Sequence, residues 1–140
     1  MAFRHGKSAA FQVDATIGAA SRTDISAYLT DISMPRSIET AETTTFGVTG
    51  SSKTYVTGLN DATISISGNW DSTLDGYMTT VLGNDTPVLW VYGPEGTASS
   101  RRKYSGSAIL TKYDVKAPVG GVVTFSADYQ ITGPVAAGSF

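Results

Sequence analysis

The chain is predicted to be mainly β with one flanking helix, on three observations. Long stretches alternate strictly between an apolar residue and a small hydroxyl or amide. A single stretch carries a helical apolar period. The longest interval between periodic segments is crowded with Thr, Ser and Gly and has no helical period. Residues 62–70, A-T-I-S-I-S-G-N-W, put Ile64, Ile66 and Trp70 on one side and Thr63, Ser65, Ser67 and Asn69 on the other. Residues 122–132 set Val123, Phe125, Ala127, Tyr129 and Ile131 against Thr124, Ser126, Asp128, Gln130 and Thr132. Successive side chains of a strand point to opposite faces, so each stretch reads as a strand with one dry and one wet face. The wet faces carry Thr, Ser, Asn and Gln where a solvated sheet ordinarily carries Lys and Glu. A hydrated, almost uncharged face suits a surface that something slides past, or one that meets a copy of itself.

Taken in order, the chain opens with a polar, basic segment (Arg4, His5, Lys7) and a short strand over 10–14. Residues 17–21 are small and flexible in composition. Residues 23–34 read as a longer strand, whose pairing Pro35 limits because proline has no amide hydrogen. Residues 38–58 read as an extended excursion, a loop or a loosely paired hairpin centred on 50–52; a stretch this long without structure of its own is usually functional. Leu74, Tyr77, Met78, Val81 and Leu82 follow the spacing of a buried helical stripe and predict a helix over 72–83. Ser72 with Asp75 resembles a capping box, and Gly83 is placed to end the helix. Gly76 inside it costs about 1 kcal/mol relative to alanine, so packing must support it. Residues 87–92 form a mostly apolar strand, 93–96 a turn, and 97–103 a polar tip. Strands over 104–113 and 122–132 complete the set, and the tail 133–140 is expected to be flexible apart from its last residue.

Composition bounds the function. With 140 residues the chain is expected to be one domain, 1–140, large enough for a real core. Charged residues make up 16%, below the roughly 25% of a typical soluble domain, which favours assembly over a lone monomer. A net charge of −2 argues against phosphate-backbone binding as the main activity. The absence of cysteine excludes disulfides and thiolate chemistry. No apolar run is long enough for a signal peptide or a membrane span, so the product is expected to be made and kept in the cytoplasm unless lysis releases it.

Little in the chain can carry chemistry. His5 is the sole histidine, in a polar terminal segment with no group placed to orient it, so it reads as an exposed residue and not a base. Asp71 and Asp75 flank a helix start, where carboxylates are favoured by unpaired amides and the macrodipole, so capping accounts for them. The glycines at 47–50 and 120–121 lack either phosphate-binding frame. No catalytic, metal or cofactor site is expected, and no enzyme. Arg101, Arg102 and Lys103 form the one basic cluster, at a predicted hairpin tip. Without interleaved aromatics it reads as a solvated turn, or as a docking charge for an acidic group on a neighbouring subunit.

Residues 24–47 (D-I-S-A-Y-L-T-D-I-S-M-P-R-S-I-E-T-A-E-T-T-T-F-G), 53–71 (K-T-Y-V-T-G-L-N-D-A-T-I-S-I-S-G-N-W-D) and 117–133 (A-P-V-G-G-V-V-T-F-S-A-D-Y-Q-I-T-G) resemble the major tail tube proteins of long, non-contractile-tailed bacteriophages. The resemblance covers nearly the whole chain, and the P-R-S-I-E-T-A-E-T-T block followed by D-A-T-I-S-I-S-G is its most specific part. The chain departs from many relatives in lacking a C-terminal immunoglobulin-like decoration, and its 17–20 turn is less polar and glycine-rich.

The resemblance implies a small β-sandwich or half-barrel with one helix on its flank, contributing strands to an oligomeric β-barrel channel. Residues 1–22 would be the N-terminal arm and first strand. Subunits would close into hexameric rings stacked around a tape-measure protein. DNA would later pass through the lumen without sequence-specific binding, and tail terminator and distal tail proteins would be further partners. The protein would reside in the virion tail after assembly in the host cytoplasm, with no membrane partner. Thr63, Ser65, Ser67, Thr124, Ser126, Asp128 and Gln130 are expected to face the lumen. Glu39, Glu42, Phe46, Lys53, Tyr55, Arg101 and Arg102 are expected between subunits, with 39–57 as the stacking element. A secretion-system tube protein and an adhesin or decoration module of β-sandwich type are the alternatives; the latter would need exposed aromatics grouped on one face.

Overall fold

The computed structural model describes residues 5–14, 22–47, 50–83 and 86–140. In chain order the elements are β1 (Ala10–Asp14), β2 (Arg22–Asp24), β3 (Leu29–Ser33), β4 (Arg36–Glu42), β5 (Tyr55–Asn69), α1 (Ser72–Val81), β6 (Val88–Gly93), β7 (Arg102–Lys116) and β8 (Thr124–Ser139). All strands join one antiparallel sheet of order β2-β1-β6-β7-β8-β5-β3, with β4 also paired to β5. The sheet curls into a half-barrel. Phe11 of β1 meets Tyr129 of β8 with ring centroids 6.2 Å apart, although β6 and β7 lie between them in the sheet.

Alternation decides which side is dry. Ile64, Ile66, Phe125, Ala127 and Tyr129 are buried from β5 and β8, joined by Phe11, Trp90 and Leu110. Leu74, Met78 and Val81 of α1 close over the same core. Each large apolar side chain buried this way contributes about 1.5–3 kcal/mol. At Gly68, on the dry side of β5, a Cβ would sit 1.9 Å from the Tyr28 carbonyl oxygen, so the close approach of the chain before β3 demands glycine.

Several boundaries differ from the sequence expectation. Residues 23–34 are not one strand. The Asp24 carboxylate accepts from Ser26 N at 2.8 Å, and a 3-10 turn over Ser26–Tyr28 separates β2 from β3. The N-cap of α1 is Asp71, not Ser72, its carboxylate accepting from Thr73 N at 2.8 Å. The helix ends at Val81, so Leu82 leaves the stripe and is exposed, and Gly83 follows at φ +73° as the left-handed stop. Trp70 lies past the end of β5 and is only half-buried, and Val123 precedes β8 outside the core, its carbonyl accepting from Trp70 N at 2.9 Å.

Residues 133–139 are not a flexible tail. They continue β8, pairing from Ser105↔Ala136 to Arg102↔Ser139, because a backbone ladder needs no side-chain alternation. The excursion over 38–58 is a paired hairpin of β4 with the first half of β5. The turn at 17–20 lies outside the described residues.

Candidate assembly surface

The wet face of the long strands is continuous. Residues paired directly across an antiparallel ladder share a face. One row runs Ser33–Ser65–Asp128–Lys112 and the next Asp31–Ser67–Ser126–Asp114. Thr63, Ser65, Ser67, Thr124, Ser126, Asp128 and Gln130 all lie on this face, none of them buried. The face is more charged than β5 and β8 alone suggested, because β3 brings Asp31 and β7 brings Lys112, Asp114 and Lys116. The alternating text T-K-Y-D-V-K at 111–116 held that signal. A register shift between Leu110 and Lys112 breaks it from the preceding run.

Besides the short end strand β2 and the unzipped ends of β5 and β8, two strand edges are open along the body of this sheet among the described residues. On one side β3 and β4 follow each other along β5 in a single register, Ser33↔Ser65 and then Arg36↔Ala62, with Thr63 N donating to the Pro35 carbonyl at 3.2 Å. Nothing pairs with their outer edge. On the other side β6 covers only Tyr104–Ala108 of β7, and Gly83 N donates to the Leu110 carbonyl at 3.3 Å. Beyond that point no strand pairs with Lys112–Lys116 except β8.

At the other end of the long strands the sheet forks. β5 and β8 pair from Asn69↔Thr124 to Thr63↔Gln130 and then separate. The first half of β5 leaves with β4 as the hairpin, while the second half of β8 leaves with β7. Between them lies an open cleft of about 730 Å³, lined among others by Ile38, Asn60, Asp61, Ile131 and Pro134. Gln130 sits in the crotch, its amide donating to Asp61 Oδ1 at 2.8 Å and to the Ala62 carbonyl at 3.1 Å.

Every residue of β4 is exposed, as is every residue of β5 before Ala62. Glu39, Glu42, Phe46, Lys53 and Tyr55 all belong to this hairpin, with Phe46 fully exposed. Glu42 pairs with Lys53 at 4.0 Å, and Thr43 N donates to the Thr54 carbonyl at 2.8 Å near the tip. Arg101 and Arg102 lie where the β6–β7 hairpin turns, Arg101 in its connecting loop and Arg102 as the first residue of β7. They flank the chain end, where Phe140 N donates to the Arg101 carbonyl at 2.9 Å and Lys103 lies 5.4 Å over the Phe140 ring. Their strand end lies past the same Thr63↔Gln130 rung as the hairpin.

The helix is tied to the sheet by a polar cluster. Tyr113 donates to Asp75 Oδ1 at 2.9 Å, and Trp70 Nε1 donates to the Tyr113 hydroxyl at 3.1 Å. Burial first, and then the bond to the Asp75 carboxylate, push the Tyr113 phenol from its ordinary 10.0 up to about 12; the Trp70 bond pulls the other way. No group of three or more His, Cys, Asp or Glu converges among the described residues. The face offers hydroxyls, amides and a few charges.

Comparison with known proteins agrees with this geometry. A chain from the virion of a native gene transfer agent particle superposes with a TM-score of 0.80 at 16% identity, over 97% of this chain and 99% of that one. A chain from the tail of an empty gene transfer agent particle, refined helically in C6 symmetry, gives 0.75 at 16% identity over 96% and 98%. The SPP1 tail tube gives 0.68 at 13% identity over 98% and 80%. A search of curated protein sequences returned no match. The family model described as phage tail tube protein matches residues 5–137, and the chain therefore belongs to the phage tail tube protein family as a structural subunit of the tail tube.

Proposed function

We propose that copies of this chain join edge to edge into rings, the free half of β7 in one copy pairing with the β3–β4 edge of the next. The observation that carries this reading is the pair of open edges on one sheet. Between them stand four ranks, β3–β4, β5, β8 and β7, each antiparallel to its neighbour. Four is even, so antiparallel alternation carries across every joint and the ring can close without a parallel seam. Long open edges invite pairing, and closure pairs both of these. A closed barrel needs stagger. Level pairing would set Asp31 of one copy directly against Asp114 of the next, so the joint is staggered.

In this reading the open face lines a channel through Thr63, Ser65, Ser67, Thr124, Ser126, Asp128 and Gln130, together with Asp31, Lys112, Asp114 and Lys116. Six copies per ring follows the C6 symmetry of the gene transfer agent tail. The hairpin, residues 39–57, reaches the next ring. Glu39 and Glu42 meet Arg101 and Arg102 of a neighbouring copy. The channel holds a tape-measure protein and then conducts DNA, tail terminator and distal tail proteins cap the stack, and assembly takes place in the host cytoplasm. Electron microscopy of the concentrated protein is expected to show rings or tubes of uniform diameter. A strictly monomeric species at millimolar concentration would overturn the proposal.

A further inference from the structure

We propose that Gln130 is the positioning residue of the hairpin, a clasp that fixes the angle at which it leaves the sheet. The proposal rests on the reading of the hairpin as the element that stacks rings. Thr63 N bonds to Pro35, so the backbone of Thr63 faces β4 and the carbonyl of Ala62 faces the β8 side. That carbonyl is the first acceptor past the last β5–β8 rung. Were it to take an N–H from β8, the ladder would zip onward and close the fork. Gln130 Nε2 takes that place at 3.1 Å and binds Asp61 Oδ1 at 2.8 Å, with a longer contact of 3.4 Å to the Ile131 carbonyl. All three partners are acceptors, so only the amide nitrogen of Gln130 fits here. A side chain thus ends the ladder and holds the parting strands at a set distance.

The test uses the full chain. Gln130→Glu sets a carboxylate against Asp61 and the Ala62 carbonyl, and Gln130→Met removes the donor at similar volume. The double variant Gln130→Glu with Asp61→Asn restores a donor–acceptor pair across the fork. Amide exchange over 58–62 of the unassembled subunit is expected to rise about ten-fold in either single variant, with exchange in 64–69 unchanged, and tube elongation to fall about ten-fold. The double variant is expected to rebuild the contact at position 61 and recover part of both, since the new carboxylate still cannot donate to the Ala62 carbonyl. Wild-type exchange and elongation in both single variants would overturn the clasp, as would loss without recovery in the double variant. A control with residues 47–53 cut to a two-residue turn separates the two readings. If that control still polymerises, the stacking role falls, and the exchange measurement alone decides the clasp.

Discussion

The two halves of β5 are one strand and obey different rules. From Thr63 to Asn69 it pairs with β8, and from Ser65 to Gly68 with β3 as well; Ile64 and Ile66 are 0% and 2% exposed. From Tyr55 to Asp61 it is paired on one side only, and every residue is exposed. Hydrogen-bond geometry is shared by both halves, so it is not what separates body from hairpin. Packing separates them. The body recovers its ordering entropy by burying apolar surface, whereas the hairpin, at about 1–2 kcal/mol per ordered residue, must find that surface elsewhere. Ile38, Val56, Leu59 and Phe46 remain uncovered on it.

The sharpest way to break the contrast is to remove the hairpin tip. Cutting residues 47–53 to a two-residue turn is expected to leave thermal unfolding of the body unchanged and to abolish tube formation in sedimentation. In the wild type, amides of 39–57 are expected to exchange freely in the monomer and to be protected in tubes; equal protection in both would make the hairpin ordinary core. Inside the body, Phe125→Ala is expected to cost about 3–5 kcal/mol in denaturant unfolding, since the residue is 3% exposed and its ring packs with Tyr113. Asp71→Ala is expected to cost about 0.5–2 kcal/mol through loss of the helix cap, by the same measurement.

Alkaline pH reads the body selectively. Tyr113 is held up to about 12, and burial raises Tyr129 as well. A phenol with a raised folded pKa stabilises fully below its unfolded pKa near 10. That contribution is lost as the pH climbs through the folded value. The denaturation midpoint is therefore expected to fall between pH 10 and 12, and less steeply in Tyr113→Phe. The smallest effect tests the open face: Ser126→Ala is expected to stay within about 0.5 kcal/mol of wild type. Equal tolerance at Phe125 and Ser126 would sink the assignment of faces.

The parts of this fold that bury side chains were legible in the sequence. The alternation over 62–69 and 124–131 assigns both faces correctly, because burial writes period 2 into residue choice. Residues 133–139 hid their strand, since a register shift after Thr132 interrupts it and Ala136, Ala137 and Gly138 then pair by backbone with no face to mark. Lys112, Asp114 and Lys116 were hidden by the register shift at Leu110–Lys112. The role of Gln130 was invisible for another reason: its partners Asp61 and Ala62 lie 69 and 68 residues away in the chain. Wet-face polarity could be read, but not whom it binds.

The unbroken run of β5 also has a mechanical consequence. Because one strand of 15 residues belongs to both hairpin and body, a pull on the hairpin along its own axis is handed straight to the seven residue pairs between Thr63↔Gln130 and Asn69↔Thr124. Loaded lengthwise, those rungs resist together and must all yield at once. Loaded across the strand, they would open one after another from the fork. A tube whose rings grip one another through such strands is stiff in tension along the strand direction and compliant to bending at the crotch, as a long hollow fibre swept by flowing fluid needs to be.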